Sequence, residues 1–140
     1  AVISRMVTDF HLPVKLCILP TIREADGLAM SSRNAYLIGE DRTAARVLYR
    51  ALQAGRMAFE AHPGEEPSGV TRTMTDTVLA EPRARLDYAE VRDPNSFLPL
   101  ETLRAPALLV IAAKVGPARL IDNFLLRADR RWDTGRTVSE

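Results

Sequence analysis

Apolar residues recur along this chain with more than one period, and each period predicts a different element. Val2, Ile3, Met6, Val7 and Phe10 fall at helical spacing, which predicts a helix over Ala1 to Phe10. His11-Leu12-Pro13 ends it, because proline disfavours helical backbone in the residue before it. His11 is expected in a surface loop. Neither Met nor a capping residue precedes this helix, so it is expected to begin upstream of Ala1. Val14 to Leu19 is a short apolar run before Pro20, read as a buried strand, parallel because a helix leads into it. Glu40 to Ala61 reads as one long helix with Ala44, Val47, Leu48, Ala51, Leu52, Ala58 and Phe59 on a single stripe. Ile38-Gly39 precedes it and offers no capping hydroxyl. His62 to Pro67 is a loop by its proline and glycine content. Ser68 is expected to cap a helix running to about Glu81-Pro82, with Val70, Met74, Val78 and Leu79 on its apolar side. Arg85 to Asp93 alternates, as a half-exposed strand does. Ala107 to Ala113 is apolar without interruption and is read as a central strand. Gly116-Pro117 turns the chain, and Arg119 to Leu126 returns antiparallel to close a hairpin. The sum is an α+β arrangement with a three-stranded antiparallel sheet and helices. Arg127 to Glu140 is polar apart from Trp132 and is expected to be a flexible tail, or one ordered only by a neighbour.

Composition narrows this picture only a little. In 140 residues, 46% are hydrophobic and 26% charged, an ordinary globular balance. Nineteen basic residues face eighteen acidic ones, for a net charge of +1. That charge provides no global field to draw in nucleic acid or an anionic membrane. Lys15 and Lys114 are the only lysines, so arginine carries nearly all the positive charge. Cys17 stands alone in the apolar run, where a buried, inert thiol is expected. No apolar run reaches membrane-spanning length, and a cytoplasmic setting is the default expectation. His62 has no partner ligand at metal spacing. Glu90 and Arg92 lie two apart on one face and read as a surface pair.

The chemistry concentrates in Asp26-Gly27-Leu28-Ala29-Met30-Ser31-Ser32-Arg33-Asn34. Gly27 admits backbone conformations closed to other residues. Ser31 and Ser32 place two short hydroxyls beside backbone N–H groups. Arg33 adds a planar, permanently charged fork that matches phosphate oxygens. Such a set could hold a nucleotide's polyphosphate. By spacing alone, such a run is more often a capped, solvated turn.

The longer segment Leu19-Pro20-Thr21-Ile22-Arg23-Glu24-Ala25-Asp26-Gly27-Leu28-Ala29-Met30-Ser31-Ser32-Arg33-Asn34-Ala35-Tyr36-Leu37 closely resembles the pantoate–β-alanine ligase family. Ala112-Ala113-Lys114-Val115-Gly116-Pro117-Ala118-Arg119-Leu120-Ile121-Asp122-Asn123 continues the likeness, which covers roughly residues 1 to 125. The resemblance implies that residues 22–126 are a C-terminal lid domain. Residues 1–21 would be the last helix and strand of a Rossmann-like nucleotidyltransferase domain, and 127–140 a flexible tail. It implies ATP-dependent ligation of (R)-pantoate and β-alanine through a pantoyl adenylate, with magnesium, in an enzyme that is a homodimer at full length. The ATP-binding residues carried over are Ile22 and Met30, through their backbones, and Ser31, Ser32 and Arg33, on the phosphates. Arg23 and Asp26 are expected to brace the loop through salt bridges, and Asp122 and Asn123 to close hydrogen bonds in the hairpin. Lys114 is expected at the surface. The family's H-x-G-H loop, its pantoate-binding glutamines and its K-D-x-Q segment have no match in these residues and are expected upstream of Ala1. The chain alone is therefore expected to hold no catalytic or metal-ligating residue and to be inactive. Two alternatives stay open: another adenylate-forming nucleotidyltransferase with a KMSKS-like loop, or a non-catalytic module that dimerises through Val14 to Leu19.

Overall fold

The unbroken apolar run forms the middle of a sheet, paired with a neighbouring strand along each of its edges. A computed structural model of the protein describes residues 2–138. After α1 (Val2–Asp9) and β1 (Ile22–Arg23) come α2 (Glu40–Ala44), α3 (Val47–Ala61) and α4 (Ser68–Leu79). Strands β2 (Ala84–Arg92), β3 (Ala107–Val115), β4 (Ala118–Leu126), β5 (Trp132–Asp133) and β6 (Arg136–Thr137) follow. β2, β3, β4 and β5 pair antiparallel in that order. β1 and β6 form a separate two-stranded parallel pair. The architecture is α+β, as the sequence predicts.

Leu109, Ile111, Ala113 and Val115 of β3, with Leu120 and Phe124 of β4, face α3 and α4 and are buried. Val47, Leu48, Ala51, Leu52 and Phe59 of α3, with Val70, Met74 and Val78 of α4, meet them. Gly55 lets α4 approach: a Cβ there would come within 2.6 Å of Met74 Cγ. The ladder of β2 on β3 shifts register between Leu86 and Tyr88. Asp87 is the extra residue of that bulge.

Several details differ from the sequence reading. The long helix divides at Ala45 and Arg46, which remain right-handed but tighten, Leu48 N–H donating to Ala45 at 3.4 Å. Pro67 occupies the cap position of α4, and Ser68 is its first helical residue with no capping bond. Leu79 is exposed. Val14 to Leu19 is not a strand: every residue in it is exposed, Cys17 included. A strand needs a neighbour to accept its backbone groups, and none of the described strands lies beside this run. Apolar content alone does not create a ladder.

Residues 127–138, expected as a flexible tail, return to the domain as β5 and β6. Trp132 packs edge-on against Phe59 with centroids 5.5 Å apart, and β6 lies along β1. One large aromatic is enough to anchor an otherwise polar segment. Ser139 and Glu140 lie outside the described residues.

Candidate functional site

The segment between β1 and α2 is a tight turn with a polar rim. Glu24 N–H donates to Leu28 at 2.9 Å, Gly27 N–H to Glu24 at 2.9 Å and Met30 N–H to Ile22 at 2.9 Å. Gly27 closes the turn at φ +91°, with the Tyr49 ring pressed against it where a Cβ would stand. Only glycine satisfies both demands. Leu28, buried beneath, joins the main core.

Four charged groups, Arg23, Glu24, Asp26 and Arg42, brace the turn. The Asp26 carboxylate accepts from the Leu28 N–H at 3.2 Å and from Arg42 at 2.8 Å. Arg42 reaches on to Glu24 at 2.6 Å. The Arg42 hydrogen bond holds the Asp26 carboxyl below its ordinary value, and the same contact raises Arg42. Glu24 also accepts from Asn34 Nδ2 at 2.8 Å, and that amide donates to the Ala29 carbonyl as well. Nothing in the sequence marks Arg42 or Asn34 as a brace. Arg42 lies sixteen residues from Asp26, so no local periodicity couples them.

Arg23 is the deepest of these groups, with 1% of its surface exposed. Its guanidinium meets the Asp122 carboxylate in a fork, Nη1 at 2.7 Å and Nη2 at 2.9 Å. Asp122 stands on β4 opposite Ile111 and is itself buried. Burial pushes its carboxyl up, and Arg23 and the Asn123 N–H pull it back down. Arg23 thus takes the salt-bridge role expected of it. Asp122 is part of that bridge, as well as accepting the Asn123 N–H at 2.7 Å.

The rim is a different kind of surface. Ile22 and Met30 are 42% and 56% exposed, and Ser31, Ser32 and Arg33 are exposed with them. Ser31 Oγ accepts from Arg33 N–H at 3.2 Å and caps a short 3-10 helix, Ser32–Tyr36. Among the described residues, the Ser32 hydroxyl and the Arg33 guanidinium have no protein partner. Met30, Ser31 and Arg33 border a cleft of about 1180 Å³. Its floor is the outer face of the sheet, with Leu108, Val110, Ile121 and Leu125, and Arg5 and Thr8 of α1 stand along its edge. Ile22 and Ser32 are not among the residues that line it. Lys114 is exposed at the end of β3. A fixed turn that presents a hydroxyl and an uncommitted guanidinium beside a cleft can receive an anion without reorganising.

Residues 1–125 match the family of pantoate-beta-alanine ligases. The pantothenate synthetase of Herpetosiphon aurantiacus is 46% identical over 126 residues, covering 89% of this chain and 45% of the relative. The crystal structure of pantothenate synthetase from Thermus thermophilus superposes with a TM-score of 0.79 at 42% identity, covering 87% of this chain and 44% of the other. That of the pantoate-beta-alanine ligase from Francisella tularensis, complexed with beta-gamma ATP and beta-alanine, gives a TM-score of 0.52 at 28% identity, covering 88% and 38%. The chain spans less than half the length of the relatives it matches.

Proposed function

Because this chain belongs to the pantoate-beta-alanine ligase family, we propose that it supplies the ATP-phosphate loop for AMP-forming ligation of (R)-pantoate with β-alanine. In this reading a pantoate carboxylate oxygen attacks the α-phosphorus of ATP and pyrophosphate leaves. The β-alanine amine then attacks the carbonyl carbon of the pantoyl adenylate and AMP leaves. The difficulty of the first step is charge, since an anion must approach a triphosphate and a second anion must depart. In this reading Ser31, Ser32 and Arg33 hold the phosphates, and the backbones of Met30 and Ile22 border the nucleoside. Donors fixed before the reaction stabilise departing charge more effectively than water, which must reorient.

The observation that carries this reading is the exposed Arg33, unpaired among the described residues, at the edge of the cleft and on a turn braced from below. Support for ATP and β-alanine as ligands comes from the Francisella relative described with both kinds of molecule. Among the described residues no group of three His, Cys, Asp or Glu could hold a metal. In this reading magnesium would come with the nucleotide, held chiefly by phosphate oxygens and water rather than by a protein cage. The same proposal takes residues 22–126 as the lid domain and 1–21 as part of the nucleotidyltransferase domain, in a cytoplasmic, homodimeric enzyme. No described helix is long and apolar enough to cross a membrane.

The test is pantoate-dependent exchange of labelled pyrophosphate into ATP. It is run on the 140-residue chain and on a chimera in which this chain replaces the matched portion of the Thermus enzyme. The chimera is expected to exchange and the isolated chain to be inactive. Turnover of pantoate and β-alanine by the isolated chain would refute its inactivity. A folded chimera that exchanges no pyrophosphate would remove the phosphate-loop assignment.

A further inference from the structure

The polar segment after residue 125 lies outside the stretch matched by the family, yet it touches the base of the phosphate loop. Arg23 is the point of contact. A guanidinium has five N–H donors, and this one uses them all. Nη1 donates to Asp122 and to the Gly27 carbonyl at 3.0 Å. Nη2 donates to Asp122 and to the Asn123 carbonyl at 3.3 Å. Nε donates to the Thr134 carbonyl, in the turn between β5 and β6. The plane of the group also lies over Tyr49 and Phe124, at 4.9 and 5.3 Å from their centroids. One buried side chain therefore joins the loop turn, the central sheet, the long helix and the C-terminal segment.

The backbone repeats the connection. Arg136 N–H donates to Thr21 at 2.7 Å and Val138 N–H to Arg23 at 2.9 Å, so β6 grips both sides of Ile22. Gly135 makes this approach possible. It sits at φ +90°, and a Cβ on it would come within 2.7 Å of Arg23 Nε and within 2.5 Å of the Thr21 carbonyl. Trp132 against Phe59 fixes the near end of the same segment to α3.

We propose that Arg23 is a positioning residue for the phosphate loop and that residues 127–138 are a strap that sets it. The claim rests on the phosphate-loop reading of this turn, and it specifies what holds Met30 to Arg33 in register. Without the strap, Arg23 loses its Nε acceptor and β1 loses its only neighbour among the described strands. The Glu24 to Met30 turn then opens more often, while the sheet beneath it, with no strap strand paired to β2 or β3, does not.

Hydrogen exchange on the full chain tests this directly. The readouts are the amides of Glu24, Gly27 and Met30, all bonded within the turn, against those of Leu109 and Ile111 in β3. In a variant truncated after Arg127, the three turn amides are expected to exchange at least ten-fold faster and the β3 amides at an unchanged rate. Gly135→Ala supplies the same comparison if the truncated chain does not fold. Unchanged turn amides would overturn the strap. So would equal acceleration everywhere, since that describes a general brace. In the chimera, Gly135→Ala is expected to raise KM for ATP several-fold and leave KM for pantoate alone, whereas a loss of folded enzyme would move neither. A chimera with no exchange activity at all would refute the phosphate-loop reading and leave the amide comparison standing.

Discussion

The base of the loop and its rim are adjacent in sequence and opposite in physics. Residues 22–29 spend nearly every polar group inside the protein: Arg23 on five hydrogen bonds, Asp26 on Arg42, Glu24 on Arg42 and Asn34. The side chains of residues 30–33 spend almost none, apart from the Ser31 cap. Both stretches carry an arginine, and a sequence treats the two alike. Their surroundings differ: one arginine is buried over two aromatic rings and the other stands at the edge of a cleft. A site that must hold an anion needs both parts. In the proposed reading, the base fixes the geometry and the rim keeps its donors free for the ligand.

The largest expected effect is at the base. Arg23→Ala leaves Asp122 buried with no countercharge and is expected to cost about 3–5 kcal/mol of stability, measured by denaturant unfolding. Pairing Arg23→Met with Asp122→Leu removes both charges and should restore most of that loss, because an apolar pair of similar volume replaces a desolvated one. The restored stability should not restore the slow exchange of the Met30 amide. If it does, the base is only a packing feature and the contrast with the rim fails.

At the rim the expectation reverses. Arg33→Ala removes a side chain with no protein partner among the described residues, so unfolding should shift by no more than about 0.5 kcal/mol. In the chimera, removing a preorganised donor from the departing phosphates should slow pyrophosphate exchange by about 10²-fold. A large stability change with unchanged exchange would place Arg33 with the base.

How much of this could be read from the residues depends on whether the signal is local. The alternation of Arg85 to Asp93 and the stripe of α3 specify elements and faces together, and the structure follows them closely. Ala107 to Ala113 and Val14 to Leu19 look equivalent as apolar runs. One becomes the central strand and the other stays exposed, because burial is decided by what lies alongside. The motif singles out the loop, and Ser32 and Arg33 have no side-chain partner among the described residues. The partners of Arg23 were out of reach: Asp122 is 99 residues away and the Thr134 carbonyl 111. A backbone carbonyl carries no sequence signal. Trp132 alone in a polar stretch, followed by Gly135, was the one hint that the last residues fold back.

A smaller effect separates the two parts by pH. The Asp26 carboxyl is held below its ordinary value of 3.8, chiefly by Arg42. Its ionised form is therefore favoured in the folded protein, and its contribution is complete above that ordinary value. The contribution is lost as pH falls through 3.8 toward the lower folded value. Asp26→Asn should cost about 1 kcal/mol near neutral pH and should flatten the acid limb of a plot of thermal midpoint against pH. Arg33→Ala should leave that limb unchanged, since no carboxylate pairs with Arg33 among the described residues. An equal flattening by both variants would mean that base and rim share one ionic network.

The smallest effect decides where the boundary between them runs. Ser31 and Ser32 present the same hydroxyl one residue apart, but only Ser31 Oγ is engaged, accepting from Arg33 N–H. Ser31→Ala removes a cap from an exposed turn and is expected to cost about 0.5 kcal/mol. Ser32→Ala removes no bond and should be neutral within error in the same unfolding measurement. In pyrophosphate exchange the order should invert. The cap uses only a lone pair of Ser31 and leaves its O–H to donate, but it fixes where that O–H can point, whereas Ser32 turns freely, so Ser32→Ala should be the slower enzyme. Equal losses of stability would place both serines in the turn and begin the rim at Arg33. If instead Ser31→Ala is the slower enzyme, the hydroxyl that caps the turn is also the better phosphate donor, and the division of labour between base and rim does not hold at that residue.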